Sequence, residues 1–164
     1  MAAFASAKVS IGLIVWLLIT RTLLLSISPK FVLRILQHKK TVELRRIKPK
    51  ITGGDAMLIY ASSPEKALQA IAIVDNVTCA HPEKLWNKFR NKAGVSYDEF
   101  CDYFNGATVG YAIEFRDLEQ FTLPVPLSTL RTIRPGFHPP QSYQYFTNTE
   151  ITPILNHALS SSSA

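Results

Sequence analysis

The 164-residue chain predicts an α+β domain: a small β-barrel of about five strands with short helices packed around it. Three observations carry that expectation. Apolar runs of strand length recur between turn residues, candidate helices interrupt them at irregular intervals, and no repeat or low-complexity linker divides the chain. A doubly wound sheet would need strand and helix to alternate, and here they do not.

Taken in order, Leu23 to Ile27 reads as a buried strand. Ser28-Pro29 then opens a helix, serine as N-cap and proline at its first position, with Phe31, Leu33, Ile35 and Leu36 as its apolar side. A tight basic turn, His38-Lys39-Lys40, leads into a strand of period two. Thr41, Glu43 and Arg45 point one way and Val42, Leu44 and Arg46 the other. With Val42 and Leu44 facing a core, the opposite charged face is either ordinary solvated surface or the floor of a polar cleft.

Lys48-Pro49-Lys50 and Gly53-Gly54 form a loop into the next strand, Ala56 to Ala61. Ser62-Ser63-Pro64 closes that strand, as a simple turn or as a polar wall able to hold a phosphate or a base edge. Ala67 to Val77 is apolar on both faces and so is expected at the centre of the sheet. His81-Pro82-Glu83 opens a helix in which Leu85, Trp86 and Phe89 pack, and Ser96 with Glu99 forms a capping box for another, ended by Asn105-Gly106. Val109 to Phe115 resumes as a strand, and the proline-punctuated Phe121 to Leu127 fits only an edge strand or an extended arm. Arg134 to Pro140 is a rigid turn, and Ser142 to Phe146 a short aromatic element.

Residues 1–20 are expected as an apolar N-terminal extension, 21–147 as the domain, and 148–164 as a C-terminal tail. The run Val9–Ile19 falls short of the ~20 residues a membrane helix needs. No small-x-small cleavage site follows it, so an extension is preferred to an anchor or a signal.

Hydrophobic content of 47% with 18% charge places the chain among globular proteins, not disordered ones. A net charge of +6 favours an anionic partner, nucleic acid or an anionic membrane. The two cysteines, Cys79 and Cys101, stand far apart with no CxxC and no paired histidines, which argues against a structural zinc site and a disulfide framework. A reduced cytoplasmic setting with no metal or cofactor is the expectation.

Leu24-Leu25-Ser26-Ile27-Ser28-Pro29-Lys30 followed by Lys39-Lys40-Thr41-Val42-Glu43-Leu44-Arg45-Arg46 resembles the strand, helix and signature turn of ASCH domains. Ile59 to Pro64 and Pro139 to Tyr143 are similar to the subgroup described as regulators with a PUA-like domain. The resemblance spans about residues 22 to 147. It implies a PUA-like barrel, and a cleft holding Lys40, Glu43, Arg45, Ser62 and Ser63 with Gln141 and Ser142 at its rim. It also implies RNA or a modified nucleoside or nucleotide as ligand. The residues themselves offer suitable chemistry: Lys39, Arg46 and Lys48 for the nucleic-acid backbone, Arg45 for a base edge, and Tyr60, Trp86 or Tyr143 as stacking faces unless they are simply core.

Some ASCH members are amidohydrolases of acetylated cytidine, and the resemblance implies a lysine, a threonine and a glutamate for that reaction. Lys40 matches the lysine, but Glu43 stands at the threonine position and no carboxylate falls near Lys92 and Ala93. That mechanism therefore does not transfer, and no catalytic residue is assigned. A binding module, a small hydrolase of RNA or a modified nucleoside, and an interaction domain remain to be separated.

Overall fold

The computed structural model describes residues 21–160. The expected apolar extension over residues 1–20, and residues 161–164, lie outside the described residues. Among the described residues six strands and five helices follow in the order β1 (Thr22–Ile27), α1 (Pro29–Leu36), β2 (Val42–Arg45), β3 (Ala56–Ala61), β4 (Ala67–Ala80), α2 (Pro82–Phe89), α3 (Tyr97–Phe104), β5 (Gly110–Pro126), α4 (Leu127–Ile133), β6 (Tyr143–Phe146) and α5 (Asn148–Ser160). The strands form one curled sheet in the order β2-β5-β4-β3-β1-β6. Only β1 and β3 pair in parallel; every other neighbouring pair is antiparallel. The fold is an α+β PUA-like barrel.

Apolar residues on both faces of the central strands explain why both faces are covered. Leu24, Leu58, Tyr60 and Leu68 pack with residues of α4 and α5, while Leu23, Leu25, Met57 and Ile59 pack with Val32 and Ile35 of α1. Alternation at period two sends successive residues of one strand into different cores. Val42 and Leu44 enter a third cluster with Leu85, Phe89, Phe100 and Phe104 of α2 and α3. The prolines of β5 fit because β2 covers only Tyr111 to Glu114 of that strand, which leaves the stretch around Pro124 and Pro126 an edge.

The two outer strands, β2 and β6, meet across a seam that carries no ladder. Side chains close it instead. Arg45 Nη1 donates to the Ser142 carbonyl (3.3 Å), Tyr143 Oη donates to the Lys48 carbonyl (3.1 Å), and the Lys50 N–H donates to Tyr145 Oη (2.6 Å). These contacts cover part of the two edges, whose unpaired rows would otherwise invite pairing with another chain.

Two expectations need correction. The chain beyond residue 147 is not a tail as far as it is described: Asn148–Ser160 is helical and buries Ile151, Ile154, Leu155 and Ala158. Those residues recur at helical spacing, and Glu150 accepts from the Thr147 N–H at the helix start. In α1 the buried residues are Val32 and Ile35, three apart on one face, whereas Leu33 is 55% exposed. The expected small barrel of about five strands is borne out, with the short aromatic element pairing with β1 as a sixth strand.

Candidate functional site

The basic turn positions the first charged group. His38 takes a left-handed backbone (φ 56°), and the Lys39 and Lys40 N–H groups both donate to the Arg34 carbonyl. The chain then doubles back so that Lys40 lies inside, 2% exposed. Its ammonium donates to the Ala93 carbonyl (2.8 Å) and pairs with Glu43 (3.2 Å), and Glu43 in turn pairs with Arg45 (3.1 Å). The Arg45 guanidinium also donates to the Ser26 carbonyl (3.1 Å). The face expected to be either solvated or a cleft floor is thus a buried lysine–glutamate–arginine row, with most of its donors committed to protein.

Gly94 makes room for the lysine. A Cβ there would lie 2.6 Å from the Lys40 Cβ, and its φ of +61° favours glycine in any case. Gly94→Ala is therefore expected to cost about 2 kcal/mol or more, from the left-handed conformation and from displacement of the lysine stem. Chemical denaturation checks this, and an unchanged midpoint would contradict the packing.

The row forms one wall of a cavity of about 260 Å³, also lined by Ser26, Ser28, Phe31, Glu99, Phe100 and Tyr103. A carboxylate does enter this cavity, but from α3. Glu99 pairs with Lys30 and Arg34, and caps the Ser96 N–H. The Lys30 ammonium foremost, with the Ser96 N–H, holds its carboxyl down at about 2, so it stays ionised and is no proton donor near neutrality. A depressed folded pKa means that its contribution to stability is present above about pH 4.5 and is lost as pH falls toward 2. Glu99→Gln should flatten the acid limb of a stability–pH profile over that window, and an unaltered limb would refute the pairing.

Ser62 and Ser63 do not line that cavity. They line a neighbouring one of about 500 Å³ with Tyr60, Lys66, Leu127, Pro139, Pro140 and Gln141. Ser26 and Ser28 line both, so the two cavities adjoin along the chain between β1 and α1. Ser28, although it is the N-cap residue, makes no side-chain cap bond. Ser26 Oγ and Tyr60 Oη are buried hydroxyls without a hydrogen-bond partner, as is Arg45 Nε. Burial raises the Tyr60 phenol above its ordinary value, Arg131 opposing, so it remains a neutral O–H. No carboxylate lies within salt-bridge distance of Lys66 among the described residues, in contrast to Lys40.

The remaining candidates scatter. Ser142 contributes its carbonyl to Arg45 and to the Ser26 N–H. Lys39 and Arg46 are exposed at the two ends of β2. Lys48 lines a separate cavity with Asn76, Cys79 and Tyr111. The Tyr60 ring is core, 1% exposed, so only its hydroxyl serves a site. Trp86 packs on Tyr97 and Phe100, and Tyr143 is tied to Lys48. Tyr60 Oη, Lys66, Glu99 and Tyr103 were not among the expected site residues. Lys66 carried a signal, standing four residues after Ser62 at the mouth of the same turn.

Residues 22–134 match the model of a family described as a domain of unknown function (DUF365). A protein of Zymomonas mobilis subsp. mobilis, described as an ASCH domain-containing ribonuclease, is 31% identical over 132 residues, which cover 80% of this chain and 88% of that protein. The chain belongs to both: it is an ASCH-domain protein. A crystal structure of ASCH from Zymomonas mobilis overlays this ASCH domain with a TM-score of 0.79 at 30% identity, covering 82% of this chain and 94% of that one. Human THYN1, crystallised with 5-methylcytosine-containing DNA, shares the fold at a TM-score of 0.51 and 13% identity, over 85% of this chain and 98% of its own. In the ASCH domain no described helix is long and apolar enough to cross a membrane. Among its described residues no group of three or more His, Cys, Asp or Glu is arranged to hold a metal ion.

Proposed function

We propose that this ASCH domain binds RNA or a nucleotide in the paired cavities, with the phosphate at Ser62, Ser63 and Lys66 and a base reaching toward Phe31 and Tyr103. The observation that carries this is the pair of buried hydroxyls, Ser26 Oγ and Tyr60 Oη, without a hydrogen-bond partner, beside a lysine that no carboxylate pairs with among the described residues. A buried polar atom left without a partner costs about 1–3 kcal/mol, so a polar ligand or ordered water that satisfies it is favoured. Lys40, Glu43 and Arg45 wall the second cavity and hold its shape, while Gln141 and Ser142 form the rim. Lys39 and Arg46 approach the backbone from the ends of β2.

A cytoplasmic setting is part of this proposal, since Cys79 and Cys101 are free and exposed. So is a regulatory role, with binding itself as the output. The test is a fluorescence-anisotropy titration of short single-stranded RNAs and free nucleotides at two salt concentrations. Binding is expected to weaken as salt rises, because neutralised phosphates release counterions. No binding at low salt would contradict the proposal.

A second function has one observation in its favour, the relative's description as a ribonuclease. RNA cleavage needs an acid for the leaving oxygen, charge stabilisation at the phosphate and an acceptor for the proton of the attacking hydroxyl; the neutral Tyr60 O–H supplies the first, the Lys66 cation the second, and solvent takes the proton. The same mixtures assayed for shortened RNA decide it. Turnover abolished by Lys66→Ala with binding partly retained would establish a nuclease; RNA left intact by the parent protein would leave binding alone.

A further inference from the structure

We infer that Arg45 is a positioning residue for the hydroxyl-lined cavity it does not itself line, acting by holding that cavity's proline wall against the barrel seam. This rests on the binding site proposed above.

The wall is Pro139, Pro140 and Gln141, within a stretch from Arg134 to Ser142 that belongs to no helix or strand. Prolines donate no backbone hydrogen bond, so such a segment depends on what grips its ends. At the downstream end the grip is on one atom. The Ser142 carbonyl accepts from Arg45 Nη1 (3.3 Å) and from the Ser26 N–H (3.3 Å). The same guanidinium donates to the Ser26 carbonyl, and Ser26 lines both cavities. One side chain from an outer strand thus fixes the rim residue and the shared serine at once.

Only a forked donor does this. Glu43 holds the guanidinium from behind at 3.1 Å, which leaves its nitrogens to reach two different carbonyls. A lysine keeps the charge and the pairing with Glu43 but presents a single nitrogen. The rest of the seam does not need Arg45, because Tyr143 and Tyr145 tie β6 to Lys48 and Lys50 separately. The local loosening is therefore greatest at the wall.

Two readouts test the inference on the full chain, using Arg45→Lys and, as a neutral variant, Arg45→Met. In the ligand-free protein, amide exchange at His138, Gln141 and Ser142 should quicken severalfold in both variants beyond whatever change in global stability exchange in β3 and β4 reports. With a short single-stranded RNA as probe, Arg45→Lys should weaken binding about tenfold, the equivalent of about 1.4 kcal/mol. The slope of log affinity against log salt should stay that of the parent in both variants, whereas Lys66→Ala should lower it by about one. Unchanged exchange across 138–142 would overturn the inference. So would a slope lowered by about one in Arg45→Met, which would make Arg45 a direct phosphate contact. If the wall loosens but Lys66→Ala leaves RNA binding untouched, the positioning stands and the assignment of the RNA site fails.

Discussion

Replacing Glu43 with alanine is expected to cost about 3–5 kcal/mol of folding stability, the largest effect of any single substitution considered for this domain. Glu43 is the only carboxylate paired with Lys40 and Arg45 among the described residues, and all three are at least nine-tenths buried. Burying the pair of cations is tolerated because one carboxylate stands between them. Removing it leaves two desolvated positive charges, and breaking a buried pair from one side costs that much. For a domain of this size the midpoint of thermal unfolding should fall by roughly 10 °C or more. Glu43→Gln keeps the shape and some hydrogen bonding but not the charge, and should lose nearly as much. Differential scanning calorimetry on both variants measures this, and a drop of only a degree or two would mean that the row is solvated after all.

Tyr60→Phe combined with Lys66→Ala should remove most RNA affinity while leaving the fold intact. The two effects have different origins and so should separate. Tyr60 Oη is buried without a partner, so its deletion should leave stability level or slightly raised. If that hydroxyl meets a phosphate oxygen in the complex, its loss should cost about 1.5–3 kcal/mol of binding, the range for a hydrogen bond to a charged group. Lys66 is exposed and makes no ion pair among the described residues, so Lys66→Ala should weaken all sequences alike and reduce the salt slope by about one. Anisotropy at several salt concentrations gives both numbers. Retained affinity in the double variant, with an unaltered slope, would place the RNA elsewhere.

Much of this was legible before any coordinates. Period-two alternation from Thr41 was enough to bring Glu43 and Arg45 to one face, and the lysine pair ahead of them belonged to the turn. What alternation does not carry is depth. Val42 and Leu44 are buried against α2 and α3, and Glu43 and Arg45 are buried too, on the other face, where the Ser26 and Ser142 carbonyls meet the guanidinium. Nor does it carry which cavity a strand end reaches. Ser62 and Ser63 follow β3, whose partners in the sheet are β1 and β4 and which lies two places from β5 and three from β2. They meet the lysine–glutamate–arginine row only through Ser26 and Ser28. Glu99 and Tyr103 could not be placed from local pattern at all, since they arrive on a helix more than fifty residues downstream. The C-terminal helix was different: Ile151, Ile154, Leu155 and Ala158 show its spacing, and Pro153 masked it.

The central claim is that one cleft, from the lysine–glutamate–arginine row across Ser26 and Ser28 to Tyr60 and Lys66, receives the RNA. Amide chemical-shift mapping during titration with a short single-stranded RNA tests it most directly. Perturbations are expected at Ser26 to Ser28, Ser62 to Lys66, Gln141 and Ser142, with a weaker set at Val95, Glu99 and Tyr103. Perturbations centred on Lys48, Asn76 and Tyr111, or spread evenly over the basic surface with none at Ser26 and Lys66, would contradict it.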